Sequence, residues 1–406
     1  MAPLTPEQLI ARIGALPAAA PLLQRVGERP GIYLVGGAVR DLLLDRPPLD
    51  LDIVVEGDAL ALARDLGGEI RAHDRFGTGT VRLDGRSYDL ASARRERYSH
   101  PGALPDVQPA GIEEDLQRRD FTVNALAVAL SGPEAGRLVT VPMALEDLDS
   151  GRMRVLHPAS FLDDPTRLLR LARYGERLGF AAEPETAQFA TSAIAGGALD
   201  TVSGPRIGTE LRLLAGEDDP VGALRALAPW RLDRAIHPQL GLEDPRLARA
   251  ALHLLPAGGR RDRLVLAAAA RGVPARELEQ LLDALGFIAG DREAIAAAAT
   301  RAQAVAAALQ RAHSASEIAA AILAAPEEAV ALAGALGPEA AAREWFERLR
   351  GVRLEITGTD LLAAGIPSGP DIGRGLASAL AAKLDGAAPD RAAELEVALA
   401  NARRES

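Results

Sequence analysis

The clearest pattern of apolar and polar positions lies between Gly31 and Glu56, where the sequence reads GIYLVGGAVRDLLLDRPPLDLDIVVE. An apolar run stops at a pair of glycines, a short segment follows, and a second apolar run begins after a proline-containing stretch. This order predicts a strand, a glycine turn, a short helix, a loop and a second strand.

Two features of this stretch suit a phosphorylated ligand. Gly36 and Gly37 let backbone N–H groups approach a ligand, and the start of the helix together with Arg40 favours anionic oxygens. With a period of two, Asp50 and Asp52 on the second strand would project from one face and share divalent cations. Taken singly, a glycine pair is most often only a turn, and an Asp-x-Asp sequence is most often a solvated strand end.

Further elements are expected in the first 150 residues. Thr5 is expected to cap an N-terminal helix, residues 59–66 have a helical pattern, and a hairpin is expected to turn at Asp84 and Gly85. The second arm of that hairpin carries Asp89. This residue is either a third metal-binding carboxylate or, as is more usual beside a turn, a solvated side chain.

The segment between Arg94 and Asp115 is rich in proline and glycine. That composition predicts a long loop with no regular element across it. Long loops inside compact domains tend to be functional, and the basic start of this one either contacts RNA or triphosphate or is an ordinary solvated connection.

A second informative stretch runs from Phe161 to Phe180 and reads FLDDPTRLLRLARYGERLGF. Asp163 or Asp164 is expected to cap a helix with Pro165 at its first position. Four arginines recur at intervals of three, three and four residues, so they share an arc of roughly 120° that either binds anions or is a solvated face. The arginines are Arg167, Arg170, Arg173 and Arg177, and the buried side is expected to contain Leu168, Leu169, Leu171 and Ala172. From residue 181 to about 345 the sequence predicts helices broken at Gly and Pro.

Length and composition limit the number of domains and the cellular compartment. With 406 residues, of which 48% are apolar, the chain can form about two to four domains with real cores. The absence of cysteine excludes disulfides, thiolate zinc sites and covalent cysteine chemistry, and it favours the cytoplasm. The opening sequence has no signal-peptide pattern and no window reaches 18 uncharged apolar residues, so neither export nor membrane insertion is expected.

The net charge of −10 argues mildly against a polyanionic partner, because phosphate contacts usually supply much of the affinity for nucleic acid. The charge is unevenly distributed, with acids crowded at residues 113–115 and arginines in the 161–180 stretch. Lys383 is the only lysine, so nearly all positive charge is guanidinium. That composition either serves bidentate phosphate recognition or reflects codon bias.

Three motifs follow one another along the chain: LVGGAVRD with DLDIVV, then RRDFTVNALA at residues 118–127, then the 161–180 stretch. Together they resemble the nucleotidyltransferase superfamily typified by DNA polymerase beta and, within it, the bacterial class II tRNA nucleotidyltransferases and poly(A) polymerases. The resemblance implies an α+β fold. It places a polymerase-beta-like nucleotidyltransferase head at residues 1–150, a helical neck at 151–225, a helical body at 226–345 and a helical tail at 346–406.

The resemblance also implies a reaction, which is template-independent transfer of CMP or AMP from CTP or ATP to the 3′ end of tRNA. Two Mg²⁺ ions would be held by Asp50 and Asp52, the implied catalytic residues. The implied triphosphate ligands are Gly37, Arg40 and Arg119, and the implied supports of the ribose end are Asp120 and Asn124. The implied nucleotide pocket consists of Asp164, Arg167, Arg170 and Arg173.

Base selection without a template follows from the base edges. Cytosine and adenine present an amine donor beside a ring-nitrogen acceptor, whereas uracil and guanine present the reverse pair. A carboxylate at Asp164 can accept from the amine and a guanidinium at Arg167 can donate to the ring nitrogen, so the pair would accept C and A. The motif departs from the family at Asp163, where glutamate is usual.

Two other segments resemble the family less closely. In residues 138–156, Glu146, Asp147 and Leu148 match, but Val141 and Ala144 replace the expected aspartate and glycine, so no site residue is assigned there. The sequence ITGTDLLAAGIPSGPDIG at residues 356–373 resembles the family's tail. Its helix starting at Pro370 either meets an RNA phosphate or is a plain connection.

The motifs leave alternatives open. They do not separate CCA-adding, CC-adding and A-adding enzymes from a poly(A) polymerase, and a catalytically inactive RNA-binding module is the alternative from another class. The family is implied to use a flexible segment before RRDFTVNALA to change the pocket between C and A addition. Because this chain keeps a long segment at residues 94–115, we expect it to permit A addition.

Overall fold

A computed structural model describes residues 4–48, 50–73 and 78–403. The chain divides into two compact units, residues 1–203 and residues 204–406. The expected α+β class is confirmed, because a mixed sheet lies in the first unit and the second unit is helical. The finer division into head, neck, body and tail stays a prediction.

The strands of the first unit form one large sheet and two small ones. They are β1 (Ile32–Val35), β2 (Asp52–Val55), β3 (Glu69–His73), β4 (Thr78–Leu83), β5 (Arg86–Ser92), β6 (Arg94–Arg97), β7 (Asp106–Pro109), β8 (Leu126–Ala129), β9 (Leu138–Thr140), β10 (Arg152–Met153) and β11 (Ala181–Ala182). Seven of them form a sheet in the order β3-β4-β5-β2-β1-β8-β9. Within it β2 and β5 are parallel, and the other neighbours are antiparallel. The separate pairs are β6 with β7 and β10 with β11.

Helices pack around this sheet in the first unit. They are α1 (Pro6–Gly14), α2 (Ala20–Val26), α3 (Gly37–Leu43), α4 (Ala59–Asp65), α5 (Ile112–Gln117), α6 (Ala144–Ser150), α7 (Ser160–Asp163), α8 (Thr166–Leu178) and α9 (Pro184–Ala195). The predicted capping of α1 by Thr5, the helix near residues 59–66 and the hairpin between β4 and β5 are confirmed. So is the sequence of strand, glycine turn and helix formed by β1, Gly36 and α3.

The position of Asp50 differs from the prediction. Strand β2 begins at Asp52, so Asp50 precedes the strand and does not share its alternation. The pairing of β1 with β2 runs from Ile32 opposite Val55 to Leu34 opposite Ile53. Strand β1 ends at Val35, and Gly36 after it has a φ of +67°, which leaves the extended conformation, so the ladder between β1 and β2 does not continue to Asp50.

The prediction of a long loop across residues 94–115 is wrong. Strands β6 and β7 pair antiparallel, with Arg94 opposite Pro109 and Arg97 opposite Asp106, and α5 starts at Ile112. The prolines do not prevent this ladder, because Pro109 is the last residue of its strand and the others lie outside both strands. Only residues 98–105 connect the two arms, and we call this connection the hairpin tip.

The apolar run after RRDFTVN is a strand. A 3-10 turn at Thr122–Asn124 leads into β8, which is buried along its whole length between β1 and β9. Two arginines, an acid and an amide ahead of an apolar run, taken in isolation, predict the capped start of a helix, and that prediction is wrong. The pattern was ambiguous because a short, fully apolar run fits a buried strand and a buried helix equally well.

The arginine-bearing stretch forms two helices, α7 and α8, joined at Asp164 and Pro165. Asp164 Oδ1 accepts hydrogen bonds from the backbone N–H and hydroxyl of Thr166, so this carboxylate caps the start of α8 as predicted, but Pro165 is the N-cap residue and not the first residue of the helix. The expected apolar side is buried. The alternative of a wholly solvated arginine face is wrong, because Arg167 and Arg173 are only 4% and 6% exposed.

The described elements of the second unit are helices and short 3-10 turns. The helices are α10 (Gly204–Ala215), α11 (Pro220–Arg225), α12 (Leu232–Ile236), α13 (Pro245–Leu254), α14 (Arg261–Ala269), α15 (Ala275–Ala284), α16 (Ala289–Arg311), α17 (Ala315–Ile322), α18 (Glu327–Ala335), α19 (Glu339–Glu347), α20 (Gly358–Ala363), α21 (Pro370–Leu384) and α22 (Arg391–Ala402). Helix α21 begins at Pro370, as predicted.

Within the parts of the chain that the structure describes, no single helix is both long and apolar enough to cross a membrane. The consecutive helices α17 and α18 reach that length and composition only together, and they are bent by 117° relative to each other.

The last three helices of the second unit share a small core. Ile356, Leu361, Ile366, Ala379, Ala398 and Ala402 are buried against one another. The fully buried carboxylate of Glu394 lies beneath this cluster and accepts hydrogen bonds from the backbone N–H groups of Glu355 and Ile356. Its other oxygen is 2.5 Å from Nζ of Lys383, so an ion pair joins α21 and α22.

Candidate active site

Two carboxylates meet at the centre of the sheet. Asp52 and Asp89 are register partners on the parallel strands β2 and β5, so their side chains lie on the same face. Both line a pocket of about 400 Å³, together with Arg118 and Arg119. Although Asp52 is exposed at the pocket, loss of water there raises its pKa, and the charges of Asp89 and Asp50 add to the rise while Arg119 opposes it.

The carboxylates of Asp50, Asp52 and Asp89 suit a metal ion whose remaining ligands come from a bound substrate. In the described residues no three acidic or histidine side chains come close enough to hold an ion by themselves. Mg²⁺ is commonly bound by one or two carboxylates completed by substrate phosphates, and Asp50 and Asp52 supply hard oxygen donors of that kind. Asp89 is oriented by the hydroxyl of Thr80, which donates to its Oδ1 at 2.7 Å.

Arg119 lies directly over the glycine turn. A Cβ placed on Gly36 would be 2.9 Å from Nη1 of Arg119, and Gly36 has a positive φ, so only glycine fits beneath this guanidinium. Nη2 of Arg119 donates to Oδ2 of Asp115 at 3.0 Å. Its buried Nε has no hydrogen-bond partner among the residues that the structure describes. Because Arg119 lines the pocket, its guanidinium is suited to an anionic oxygen there.

Arg40 is part of the floor of this region and is only 2% exposed. Its Nε donates to Asp41 at 2.9 Å and its Nη1 donates to Oδ1 of Asn124 at 2.6 Å. Gly37 lies against the same guanidinium, because a Cβ there would be 3.4 Å from its Nη2. The first motif is thus joined to the second through Arg40.

Asp120 continues this connection toward the third motif. Its Oδ1 accepts from Nδ2 of Asn124 at 3.1 Å, and its Oδ2 is 2.7 Å from Nη2 of Arg170 on α8. Burial alone would raise the pKa of Asp120, but Arg170, the Asn124 amide and Arg167 hold it below its usual value. Asp120 and Asn124 therefore tie the turn before β8 to the arginine helix.

Tyr174 is a residue of this region that the sequence analysis missed. The guanidinium carbon of Arg173 lies 4.5 Å from the centre of its ring, and those of Arg40 and Arg170 lie 5.8 Å away. Its ring also meets Phe121 edge to face at 6.3 Å. The available signal was helical spacing, because Tyr174 follows Arg170 by four residues and therefore lies beside it on the same helix face.

Asp164 and Arg167 lie at the start of α8, separated by less than one helical turn. Arg167 is held from two sides, since its Nη1 donates to Oγ of Ser160 and its Nη2 donates to the backbone carbonyl of Arg118, both at 2.6 Å. Ser160 was another residue missed by the sequence analysis.

The paired strands β6 and β7 are connected to the second motif by buried acids that the sequence analysis also did not single out. Oε1 of Glu96 accepts from Arg94 and, at 3.0 Å, from Nη1 of Arg118. The fully buried Asp115 accepts from Arg118 and Arg119. Burial would raise the pKa of Asp115, but these two arginines lower it.

Comparison with known proteins agrees with this geometry. Residues 32–154 match the family described as the poly A polymerase head domain. The chain is 44% identical to the A-adding tRNA nucleotidyltransferase of Halalkalibacterium halodurans over 227 residues. The aligned residues make up 53% of this chain and 53% of the relative. The chain is also 44% identical over 216 residues to the CC-adding tRNA nucleotidyltransferase of Deinococcus radiodurans, which is 52% of this chain and 56% of the relative. The matched region thus spans about half the length of these curated relatives.

Solved structures match over more of the chain. An apo form of a CCA-adding enzyme is 30% identical, with a TM-score of 0.78 over 91% of this chain and 92% of that one. The Thermotoga maritima CCA-adding enzyme in complex with tRNA is 28% identical, with a TM-score of 0.75 over 98% of both chains. Since the motifs, the site geometry and these whole-length matches agree, the chain belongs to the family of tRNA nucleotidyltransferases and poly(A) polymerases.

Proposed function

We propose that this protein transfers CMP, AMP or both from CTP and ATP to the 3′ end of tRNA without a template. The observation that carries the proposal is the pairing of Asp52 and Asp89 in one pocket with Arg119. Carboxylates for a cation and a guanidinium for phosphate are the two requirements of nucleotidyl transfer. The tRNA, CTP and ATP complexes known for similar structures are consistent with these partners.

Membership of the family implies a divalent metal, and we propose two Mg²⁺ ions held by Asp50 and Asp52. When bound, the ions activate the 3′-hydroxyl and stabilise the leaving pyrophosphate. The hydroxyl oxygen forms a bond to the α-phosphorus while the bond to the β-phosphate oxygen breaks. Arg119 binds the triphosphate, because its guanidinium lines the same pocket as Asp52. Asp89 is a candidate further ligand because it is the register partner of Asp52.

The remaining site residues divide into supports and base readers. We propose that Gly37, Arg40, Asp120 and Asn124 form the network beneath the triphosphate and ribose, and that Arg170 and Arg173 on α8 contact the nucleotide. Asp164 accepts from the base amine and Arg167 donates to the ring nitrogen, so C and A are selected. Uracil or guanine would place donor against donor, which costs about 1–3 kcal/mol for each buried group left unpaired.

The test uses purified protein with tRNA transcripts that end before CCA, after C and after CC, with CTP and ATP supplied separately. Incorporation of C, A or both that stops at CCA supports the proposal, and Asp52→Asn is the inactive control. Unlimited addition of A to any RNA would instead identify a poly(A) polymerase, the activity for which the matched head-domain family is named. Absence of any incorporation would favour an RNA-binding module, although the intact carboxylates argue against it.

A further inference from the structure

One of the two hydrogen bonds that hold the Arg167 guanidinium goes to a buried hydroxyl. Ser160, the first residue of α7, is 0% exposed, and its Oγ accepts the 2.6 Å hydrogen bond from Nη1 of Arg167. The backbone carbonyl of Ser160 accepts from the N–H of Asp164 at 3.2 Å. One residue therefore contacts both members of the proposed base-reading pair, with its side chain on Arg167 and its backbone on Asp164.

A guanidinium carries five N–H donors in a fixed plane. In Arg167 one donor is taken by Ser160 and one by the carbonyl of Arg118, and these acceptors hold Nη1 and Nη2 from separate segments of the chain. Together with the covalent bond from Nε to the side chain, these two acceptors fix the plane of the guanidinium, so up to three N–H groups are left with a defined direction for a base edge. With only one of the two acceptors, the plane could rotate about the remaining bond.

The position of Ser160 is itself fixed. Its N–H donates to the carbonyl of His157 at 3.1 Å, and α7 ends at Asp163 only three residues later. Arg167 is 4% exposed, so water does not readily replace the hydroxyl if it is removed. A buried guanidinium that loses an acceptor finds another partner or turns, and either change alters what it offers to a base.

We propose that Ser160 is a positioning residue for base selection: its hydroxyl orients the Arg167 guanidinium so that the pocket discriminates cytosine and adenine from uracil and guanine. The inference rests on the proposed function only in taking Arg167 to face the base. It does not require that Ser160 touch the nucleotide. The proposed role separates discrimination from catalysis, because the hydrogen bonds of Ser160 go to Arg167, Asp164 and His157, whereas Asp52 and Asp89 lie on β2 and β5.

The experiment compares wild type, Ser160→Ala and Ser160→Thr, with Ser131→Ala as matched control. Ser131 is also a buried serine, 6% exposed, and its hydroxyl donates to the carbonyl of Arg29 at the far end of β8. For each protein the ratio of kcat/KM for CTP over UTP and for ATP over GTP is measured on tRNA ending before CCA and after CC. Equilibrium binding of CTP and UTP is measured in parallel, and thermal unfolding establishes that each variant is folded.

We expect Ser160→Ala to reduce discrimination by about tenfold or more, which corresponds to one lost buried hydrogen bond. Ser160→Thr keeps a hydroxyl and should retain most of the discrimination, and Ser131→Ala should retain all of it. A folded Ser160→Ala protein that loses kcat/KM equally for all four nucleotides would overturn the inference.

The binding measurement distinguishes the two proposals. If wild type incorporates nothing into tRNA but binds CTP more tightly than UTP, and Ser160→Ala abolishes that preference, the proposed function fails while the role of Ser160 stands. If wild type builds the tRNA end and Ser160→Ala keeps its preference in both assays, the proposed function stands and the role of Ser160 fails.

Discussion

Nη1 of Arg40 donates a 2.6 Å hydrogen bond to Oδ1 of Asn124, although 84 residues separate the two in the chain. The bond joins the helix after the glycine turn to the turn before β8. Both residues are buried, and the same guanidinium also contacts Asp41. Arg40 thus donates to protein acceptors through both Nε and Nη1, whereas the Nε of Arg119 above the glycine turn has no acceptor among the described residues.

This difference predicts separate consequences for the two arginines. Arg40→Ala leaves Asp41 and Asn124 buried without their partner, so we expect a loss of about 3–5 kcal/mol in the free energy of unfolding together with lost activity. Arg119→Gln should mainly raise KM for CTP and ATP, because Asp115 retains Arg118. Thermal unfolding and nucleotide kinetics distinguish the two. An Arg40→Ala protein with normal stability and only a raised KM would show that Arg40 binds phosphate directly.

The carboxylates give a second prediction. Asp50→Asn and Asp52→Asn should each reduce incorporation of both nucleotides on the order of 100-fold or more, because the neutral amide binds a divalent cation poorly. Binding of tRNA should change little, since neither residue supports the fold. Gel-shift binding and single-turnover incorporation measure the two effects separately. Substantial activity in either variant would contradict the metal assignment, and Asp89→Asn tests whether the strand partner also contributes.

The sequence predicted the parts of this site that are contiguous in the chain. The run from Ile32 to Asp52 carries its own signals, in the glycine turn and in the change of apolar period, so its elements were predictable. The pairing of β6 with β7 was not, because these strands are short and polar and their stability depends on a partner about ten residues away.

Residues that act through distant partners were also missed. Ser160 looks like an ordinary serine at the start of a helix until the fold brings the carbonyl of Arg118 to the same guanidinium. Helical spacing placed four arginines on one arc, but the pattern does not say what faces that arc. The structure shows that Asp120, from another motif, is the partner of Arg170.

Base selection gives a third prediction. Asp164→Ala or Arg167→Ala should allow measurable incorporation of UTP or GTP, because the acceptor or the donor for the correct base edge is then lost. The effect of Arg167→Ala should exceed that of Ser160→Ala, which keeps the guanidinium. The ratio of kcat/KM for correct and incorrect nucleotides is the measurement. An equal loss for all four nucleotides would make both residues structural.

The ion pair between Lys383 and Glu394 gives a prediction about pH and stability. Burial raises the pKa of Glu394, but the Lys383 ammonium and the N–H groups of Glu355 and Ile356 outweigh it, so the pKa lies below its ordinary value of 4.5. A carboxyl group whose pKa is lower in the folded state stabilises that state at every pH above its ordinary pKa. This stabilisation is lost as the pH falls through the pKa of the folded state.

We therefore expect Glu394→Gln to lower Tm by several degrees at pH 7 and by progressively less below pH 4.5. Glu355→Gln is the matched control, because Glu355 is 56% exposed and lies 3.4 Å from the same ammonium, so its loss should change Tm little at any pH. A constant difference between wild type and Glu394→Gln from pH 7 to pH 3 would contradict the assignment.

The last prediction concerns the hairpin tip and the addition of A. The N–H of Gly102 donates to the carbonyl of Leu162 at 3.0 Å, and Leu162 lies on α7, two residues before Asp164 of the proposed base-reading pair. Gly102 has a φ of +71°, and a Cβ there would lie 2.5 Å from the carbonyl oxygen of Thr201. The hairpin tip thus contacts Leu162 and Thr201 through a residue that must be glycine. We expect this contact to matter when the pocket changes from the smaller base to the larger one.

Deleting residues 101–109 should abolish AMP addition to tRNA ending in CC while any CMP addition to shorter tRNA survives. That deletion also removes β7. Gly102→Ala is therefore the more specific variant, because it displaces the hairpin tip and leaves the ladder between β6 and β7 intact.

Gly85→Ala is the matched control, since Gly85 also has a positive φ in a hairpin turn but nothing lies within 4 Å of its added Cβ. We expect Gly102→Ala to lower AMP addition several-fold more than CMP addition and Gly85→Ala to leave the ratio unchanged. Equal loss of both additions would make the hairpin a general clamp for triphosphate or RNA, and undiminished AMP addition would place the change of base elsewhere in the pocket.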